Sequence, residues 1–398
     1  MSGQGRLRVI VTLGTAQTLA WASSYYLPAI LARPIAADLN LSPIFIYASL
    51  SGALMLAGLV GPRVGALIDQ LGGRGVLCAS NLVLAAGLLL LGAAQGPAGL
   101  VAAWLVLGLG MGMGLYDAAF AALVRVYGGT ARRSITGITL IGGFASTLGW
   151  PVTAYLEARW GWRMACMVWA GVHLLGALPL NLTLPRLAPH PAPAAAEAGQ
   201  MQAGVRRRWA MIALALVFAA NSFVSTGLSA LFPAVLVQAG ATPAAAIFAA
   251  ALVGPAQVAA RLAEAGWLSR YPPLACAKAA TLMNPLGVAL ILLGGPALAP
   301  VFTCAYGLGN GVLTIVRGTL PLAVFGAEGF GRRLGLLTMP ARFAGAASPL
   351  LMGLALERFG SAVLPVAAAA SCVAFLALMA LGRIHAGAAR GAGRGEGA

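Results

Sequence analysis

The sequence predicts an all-α membrane protein, with twelve transmembrane helices in two six-helix, pseudo-symmetric halves. Three observations carry that expectation. Of the 398 residues, 60% are hydrophobic and only 9% are charged, against roughly 25% charged in a soluble domain. Apolar runs long enough to cross a bilayer recur along the whole chain. Short motifs of the first half return in the same order in the second.

Nothing in water needs this much apolar surface, because a soluble core stops growing well below this size. A spanning helix takes about 20 apolar residues, so twelve use roughly 240 and leave the rest for short loops. The 53 glycines and 23 prolines suit close helix packing and kinks inside such runs.

Runs bounded by charge, Pro or Gly place helices near 9–32, 44–68, 75–95, 99–125, 135–157 and 163–184. A second set lies near 209–238, 244–268, 274–295, 298–325, 334–356 and 362–384. The first run is too long for the apolar region of a signal peptide, and similar runs follow it.

The loop charges orient the spans. Arg6, Arg8, Arg74, Arg132, Arg133, Arg186 and Arg206 to Arg208 fall on one side. So do Arg270, Lys278, Arg332, Arg333, Arg383, Arg390 and Arg394. The other side holds Arg33, Arg159, Arg163 and Arg358. The positive-inside rule then puts both termini in the cytoplasm of a multi-pass inner-membrane protein.

Residues 185–208 are rich in Pro, Ala and charge and show no apolar period. They read as a cytoplasmic linker between an N-terminal six-helix half, 1–184, and a C-terminal half, 209–398, which ends in a short basic tail. Between the halves, LPAIL (27–31) matches FPAVL (232–236). LVGP (59–62) matches LVGP (252–255), and GLGMG (108–112) matches GLGNG (307–311). Parallel repeats of this kind mark transporters whose substrate site lies at the repeat interface.

The net charge of +16 does not point to nucleic acid, because the basic residues are scattered and no patch carries interleaved aromatics. The cysteines at 78, 166, 276, 304 and 372 are single and fall in spans, so they read as small buried apolar residues. No metal cluster, nucleophile triad or phosphate loop is present in the pattern. The expectation is no enzyme, no cofactor and no metal.

After the second span the chain reads Gly65-Ala-Leu-Ile-Asp69-Gln-Leu-Gly72-Gly-Arg74. This resembles the signature of the major facilitator superfamily, Gly-x3-Asp-Arg/Lys-x-Gly-x-Arg-Arg/Lys, between the second and third spans. Gln70 and Gly75 depart from it. With the span count and the duplication, the resemblance covers essentially the whole chain and implies the major facilitator fold. It makes Gly65, Asp69, Gly72 and Arg74 a gating motif. Gly65 lets helices approach closely. Asp69 is expected to pair with Arg125 or Arg132 and to hold one conformation.

Within the superfamily the chain is most similar to the oxalate/formate and monocarboxylate transporter group. Residues 132–163 are similar to that group's Arg-rich loop, Gly-rich fifth helix and following Gly-Trp-Arg. AARLAEAG (259–266) is similar to its Ala-Arg-x3-Gly segment, whose arginine binds substrate carboxylate. That role carries to Arg261. The group's animal members have an Asp four residues earlier, where this chain has Gln257. Their acidic and lysine residues on the first helix are missing too.

A charge at the bilayer centre costs roughly 2.5–3.5 kcal/mol on insertion scales, so it usually faces a cavity. Asp117, Arg261, Arg317 and Arg342 fall in mid-span; a structural ion pair or snorkelling is the other reading of each. Asp117 and Arg317 occupy near-equivalent places in the repeat, so a neutralising pair is one expectation, and a substrate anion competing for Arg317 is another. Glu264 lies three residues after Arg261 and can neutralise it on one helix face. Gln17, Trp21, Ser24, Tyr25 and Tyr116 in the first half are further candidates for substrate contact. Asn221, Ser222, Ser225 and Asn310 join them in the second. His173 reads as structural.

The function expected is secondary transport of a small organic anion, a carboxylate by class, through alternating access by a monomer in the lipid bilayer. A co-transported proton is a candidate partner. The alternatives are a drug or toxic-metalloid efflux pump, for which Cys276 and Cys304 offer soft ligands, and a transporter-like receptor that moves nothing.

Overall fold

The computed structural model describes residues 3–187 and 201–395, and no strand occurs among the described residues. The middle of the expected linker, 188–200, lies outside them, as do residues 396–398 and the side chains of the basic tail from 385 on. Sixteen α-helices follow one another among the described residues. They are α1 Gly3–Ser23, α2 Pro28–Asp38, α3 Pro43–Leu71, α4 Gly73–Ala93, α5 Pro97–Gly114, α6 Tyr116–Tyr127, α7 Arg132–Gly142, α8 Ala145–Val172 and α9 Leu178–Leu182. Then come α10 Met201–Gln238, α11 Pro243–Ala251, α12 Val253–Ala265, α13 Pro273–Gly294, α14 Ala299–Phe325, α15 Phe330–Phe359 and α16 Val363–Gly395.

Eight stretches of the described residues are long and apolar enough to cross a membrane. Pro97–Leu182 runs through three of the expected spans and Phe330–Ile384 through two. The first expected span, α1 with α2, is the remaining one. The twelve-span architecture therefore stands. Several boundaries differ. Residues 201–208, at the end of the expected linker, form the first turns of α10. The fifth and sixth spans meet inside α8 at Gly161, whose φ of 78° is a left-handed conformation that glycine adopts freely.

Four expected spans are interrupted: the fifth turns at Gly143 and Phe144 and the eighth at Leu252, while the first and fourth break more widely. The first stops at Ser23 and resumes at Pro28. Proline supplies no N–H, so Ser24 loses a helical partner there. The Tyr26 N–H bonds back to the Trp21 carbonyl at 3.1 Å, and that of Leu27 to Ser24 at 3.2 Å. The fourth span breaks at Leu115, whose backbone is extended (φ −79°, ψ −172°). The matching helices of the second half, α10 and α14, run unbroken, even though α10 carries Pro233.

The chain forms two compact units. One holds the helices up to α9 together with Leu322–Met339; the other holds the remainder of α10 to α16. Both edges of the transferred segment fall at prolines inside helices, Pro321 in α14 and Pro340 in α15. A proline removes a helical hydrogen bond and is where a helix bends.

In the first unit, Leu31, Ile35, Leu84, Leu88, Trp104, Leu107 and Met111 are fully buried in one core. The repeated glycine motif explains how tightly it closes. A Cβ on Gly108 of α5 would collide with the Ala53 backbone of α3, and one on Gly112 with the Val60 side chain beside the Ala57 backbone. Small residues allow such approach, which is what holds membrane helices together without a hydrophobic drive. His173 is fully buried, with its ring nitrogens 2.9 Å from Asn81 Oδ1 and 2.7 Å from Ser23 Oγ, so both are satisfied.

The second unit repeats the device. Gly307 and Gly311 of α14 leave no room for a Cβ against the Val253 and Gln257 carbonyls. Its core gathers Leu228, Phe232, Leu236, Phe302, Tyr306 and Leu364. Phe232 stacks on Phe302, with centroids 5.3 Å apart. Where the first unit joins its third and sixth spans through Asn81 and His173, the second uses Asn284. Its amide donates to the Ala367 carbonyl at 3.2 Å and to Ser371 Oγ at 2.9 Å.

Arg163 closes one end of the first unit. Its Nη1 donates to the carbonyls of Gly92 at 2.9 Å and Ala94 at 2.7 Å, at the C-terminus of α4. Its Nη2 lies 2.9 Å from Asp38 Oδ2, and the guanidinium sits 4.3 Å above the Trp162 ring. The two charged side chains are 38% and 48% exposed, so the ion pair itself contributes at most about 1 kcal/mol. The capped carbonyls would otherwise lack partners. Arg163→Met is therefore expected to destabilise the detergent-solubilised protein by about 1–2 kcal/mol, and Asp38→Asn by less. Thermal unfolding of the two variants checks that order.

Candidate functional site

Three groups of residues stand out from the packing, and each lies within one unit. The first is aromatic. Where α1 breaks, Tyr25 and Tyr26 follow one another, and both rings reach Trp21, with centroids 5.1 and 6.0 Å away. Neighbours on a regular helix point about 100° apart, so the break is what lets both rings meet one indole. Tyr116, the first residue of α6 after the second break, lies 5.1 Å from the same indole and stacks on Phe120 at 5.4 Å. Trp150 meets Tyr26 edge-on at 5.8 Å. Gln17, one turn before Trp21, joins the two breaks, since its Nε2 donates to the Gly114 carbonyl at 2.6 Å. Asp117 follows Tyr116 in the first turn of α6, where the helix dipole favours a negative charge.

Of the residues expected from sequence, this arrangement brings together Gln17, Trp21, Tyr25 and Tyr116. Tyr26, Phe120 and Trp150 were missed. The Tyr-Tyr doublet three residues before Pro28 was the available signal for the first of them.

The second group lies in the second unit. Asn221 of α10 and Asn310 of α14 line one cleft with Thr281, Asn284, Tyr306 and Ser371. The Tyr306 hydroxyl donates to the Ser225 carbonyl at 3.2 Å. The intramembrane arginines belong to this unit as well. Arg261 of α12 is buried (7% exposed), as is Glu264 on the same helix (2%). Arg317 of α14 and Arg342 of α15 are half-buried. Asp117 and Arg317, related in the repeat, thus belong to different units.

The third group is the motif at 65–74, after the second span, for which gating is the expectation. Gly65 packs against the Gly331 carbonyl with no space for a side chain. The Asp69 carboxylate does not rest on an arginine side chain as expected. It accepts the backbone N–H groups of Gly331 at 2.8 Å and Arg332 at 2.9 Å. These are unsatisfied donors in the first turn of α15, at the positive end of its dipole. Arg125 does reach Asp69, but through Nε to its backbone carbonyl at 3.0 Å. Arg132 opens α7 and is half-buried. Gly72, with φ 83°, links α3 to α4. Arg74 is half-buried beside Leu13 and Leu184 in a small cleft. Gly331 and Arg332 were missed as partners. The sequence marks α15's start only by the glycines around them.

Among the described residues, no group of His, Cys, Asp or Glu is placed to hold a metal ion. Cys276 is buried, with its Sγ 3.6 Å from the Leu268 carbonyl.

Comparison with known proteins agrees with this architecture. The fold is similar to the crystal structure of the human organic anion transporter MFSD10 (TETRAN), with a TM-score of 0.67 and 19% identity over 95% of this chain and 100% of that one. It is similar to the E. coli fucose:proton symporter FucP, with a TM-score of 0.71 and 14% identity over 94% and 98%. A second structure of FucP, in the outward conformation, gives 0.70 and 15% over 94% and 98%. No curated protein matches the chain in sequence. Residues 13–306 match the family described as the Major Facilitator Superfamily. With broken and glycine-packed membrane helices in two duplicated sets, the chain belongs to that family and is a multi-pass membrane transporter rather than an enzyme.

Proposed function

We propose that this transporter moves a small organic anion, a carboxylate by class, across the inner membrane by alternating access, as a monomer with both termini in the cytoplasm. The observation that carries the reading is Arg261. It is buried within α12, and its Nε has no hydrogen-bond partner among the described residues. A guanidinium keeps its charge at any working pH, and a buried charge without full compensation is costly. A substrate carboxylate supplies the compensation through two parallel hydrogen bonds.

Arg317 and Arg342 add positive charge in the same unit. Glu264, at a spacing that shares a helix face with Arg261, is the acid assigned to neutralise it when substrate is absent. Its displacement by substrate would link binding to conformation, as alternating access requires. Asn221 and Asn310 supply neutral contacts. In the first unit Gln17, Trp21, Tyr25, Tyr116 and Asp117 are the substrate-facing candidates. The likeness of residues 259–266 to the oxalate/formate and monocarboxylate group fits the same substrate class.

Arg→Lys keeps charge and loses the planar fork. Arg261→Lys and Arg317→Lys should each insert normally, yet lose tenfold or more in uptake by proteoliposomes, about 1.4 kcal/mol. Wild-type rates and affinities in both would sink the anion site and move the efflux alternative ahead.

We assign Asp69 a gating role, since a carboxylate on the first turn of α15 has to let go if that helix start moves. The charge–dipole part of this contact contributes about 0.3–1 kcal/mol. Asp69→Asn should therefore change turnover a few-fold while substrate affinity stays near wild type. A large affinity loss at normal turnover would count against gating.

The topology has its own test. A reporter active only in the periplasm, fused after Ala398, should give no signal. Full signal would reverse the orientation.

A further inference from the structure

We propose that the broken-helix aromatic cluster of the first unit is a subsite for a ring, so that the substrate is a cyclic organic acid rather than a short linear one. This rests on the anion reading and adds to it the shape of the rest of the molecule.

Four observations converge. The first and fourth spans break in the first unit, while their repeats α10 and α14 continue. In a membrane, broken helices are tolerated where they line a cavity or are buried in protein, and in transporters they mark binding sites. Both breaks deliver aromatic residues to one indole, Trp21, which takes Tyr25 and Tyr116 at 5.1 Å each. Trp21, Tyr25 and Tyr116 are only half-buried, unlike the core aromatic Phe120 beside them. Gln17 and Trp21, one helical turn apart, leave an acceptor and a donor without partners among the described residues, Gln17 Oε1 and Trp21 Nε1. Gln17 is only 1% exposed, so water does not readily answer for it, and a buried polar atom without a partner needs an explanation.

The orientation of the Gln17 amide follows from its Nε2, which is committed to the Gly114 carbonyl at 2.6 Å. The oxygen is then the group left over. A ligand that satisfies this pair carries a hydrogen-bond donor and an acceptor on one edge, and a flat or ring-shaped body that rests on aromatic faces. A hydroxylated aromatic or alicyclic ring meets both needs. A short aliphatic carboxylate offers neither the face nor the second polar group. The second unit has no such cluster among its described residues, where Phe232, Phe302 and Tyr306 are buried in the core.

The test uses the full chain in lipid nanodiscs and three probes, 4-hydroxybenzoate, hexanoate and 4-hydroxybenzyl alcohol, read by thermal shift and calorimetry. 4-Hydroxybenzoate should bind at least tenfold more tightly than either of the others. Trp21→Leu should shrink its advantage over hexanoate at least tenfold. Trp21→Phe, which keeps a ring and folds if the leucine variant does not, should shrink it by less. If hexanoate equals 4-hydroxybenzoate and Trp21→Phe leaves their ratio unchanged, the ring subsite is overturned and the anion reading survives. If the alcohol equals 4-hydroxybenzoate, the ring subsite survives and the anion reading falls. If none of the three shifts the melting of wild-type protein, the ring subsite is overturned.

Discussion

A peptide group in hydrocarbon can bond only to the protein, and the rest of this structure follows from that constraint. Helices satisfy it without help. Each place where a helix stops within the hydrocarbon therefore has to be answered by a named group, and at the ends of the spans, where water also reaches, protein groups here give the same answer. At the Leu115 break the answer comes from another span, where the Gln17 amide takes the Gly114 carbonyl. At the end of α4 it comes from Arg163, which takes the carbonyls of Gly92 and Ala94. At the start of α15 it comes from the Asp69 carboxylate, which takes two amides. Each answer joins residues roughly 70 to 260 positions apart in the chain, so satisfying the backbone also fixes tertiary contacts.

The same constraint separates the legible from the illegible in the sequence. Spans are legible because helices long enough to cross need continuous apolar residues. The duplication is legible because GLGMG and GLGNG do the same job twice, letting α5 and α14 close on their neighbours through Gly108 and Gly311. Breaks are less so. LPAIL and FPAVL read alike, yet one lies at a break and the other inside a continuous α10. What differs is the pair of rings before Pro28, and the contacts of this segment with Tyr116 and Trp150 are tertiary, which composition does not reveal.

The candidate site was half legible for a related reason. Residue type pointed to Gln17, Trp21, Tyr25, Tyr116 and the arginines, because polar and charged residues are scarce in the spans. Partners could not be read in the same way. Asp69 was expected on a guanidinium because charge pairs are visible in a sequence. Its observed partners are backbone amides, which every residue but proline carries and which become special only at a helix N-terminus. His173, in contrast, behaves as its isolated position suggests, with Asn81 and Ser23 satisfying both ring nitrogens.

Duplication supplies two copies of one skeleton, and the chemistry has diverged on top of it. The glycine faces and the Asn-mediated contact between third and sixth spans recur in both units, because these hold the helices together and tolerate little change. The aromatic cluster and the breaks of the first and fourth spans lie in the first unit, and Arg261, Arg317 and Arg342 in the second. A ring and a carboxylate are recognised by different physics, the one by polarisable faces and the other by fixed charge. Neither set of residues takes part in the Gly108, Gly112, Gly307 and Gly311 contacts that both units share, so each can be substituted without disturbing that packing.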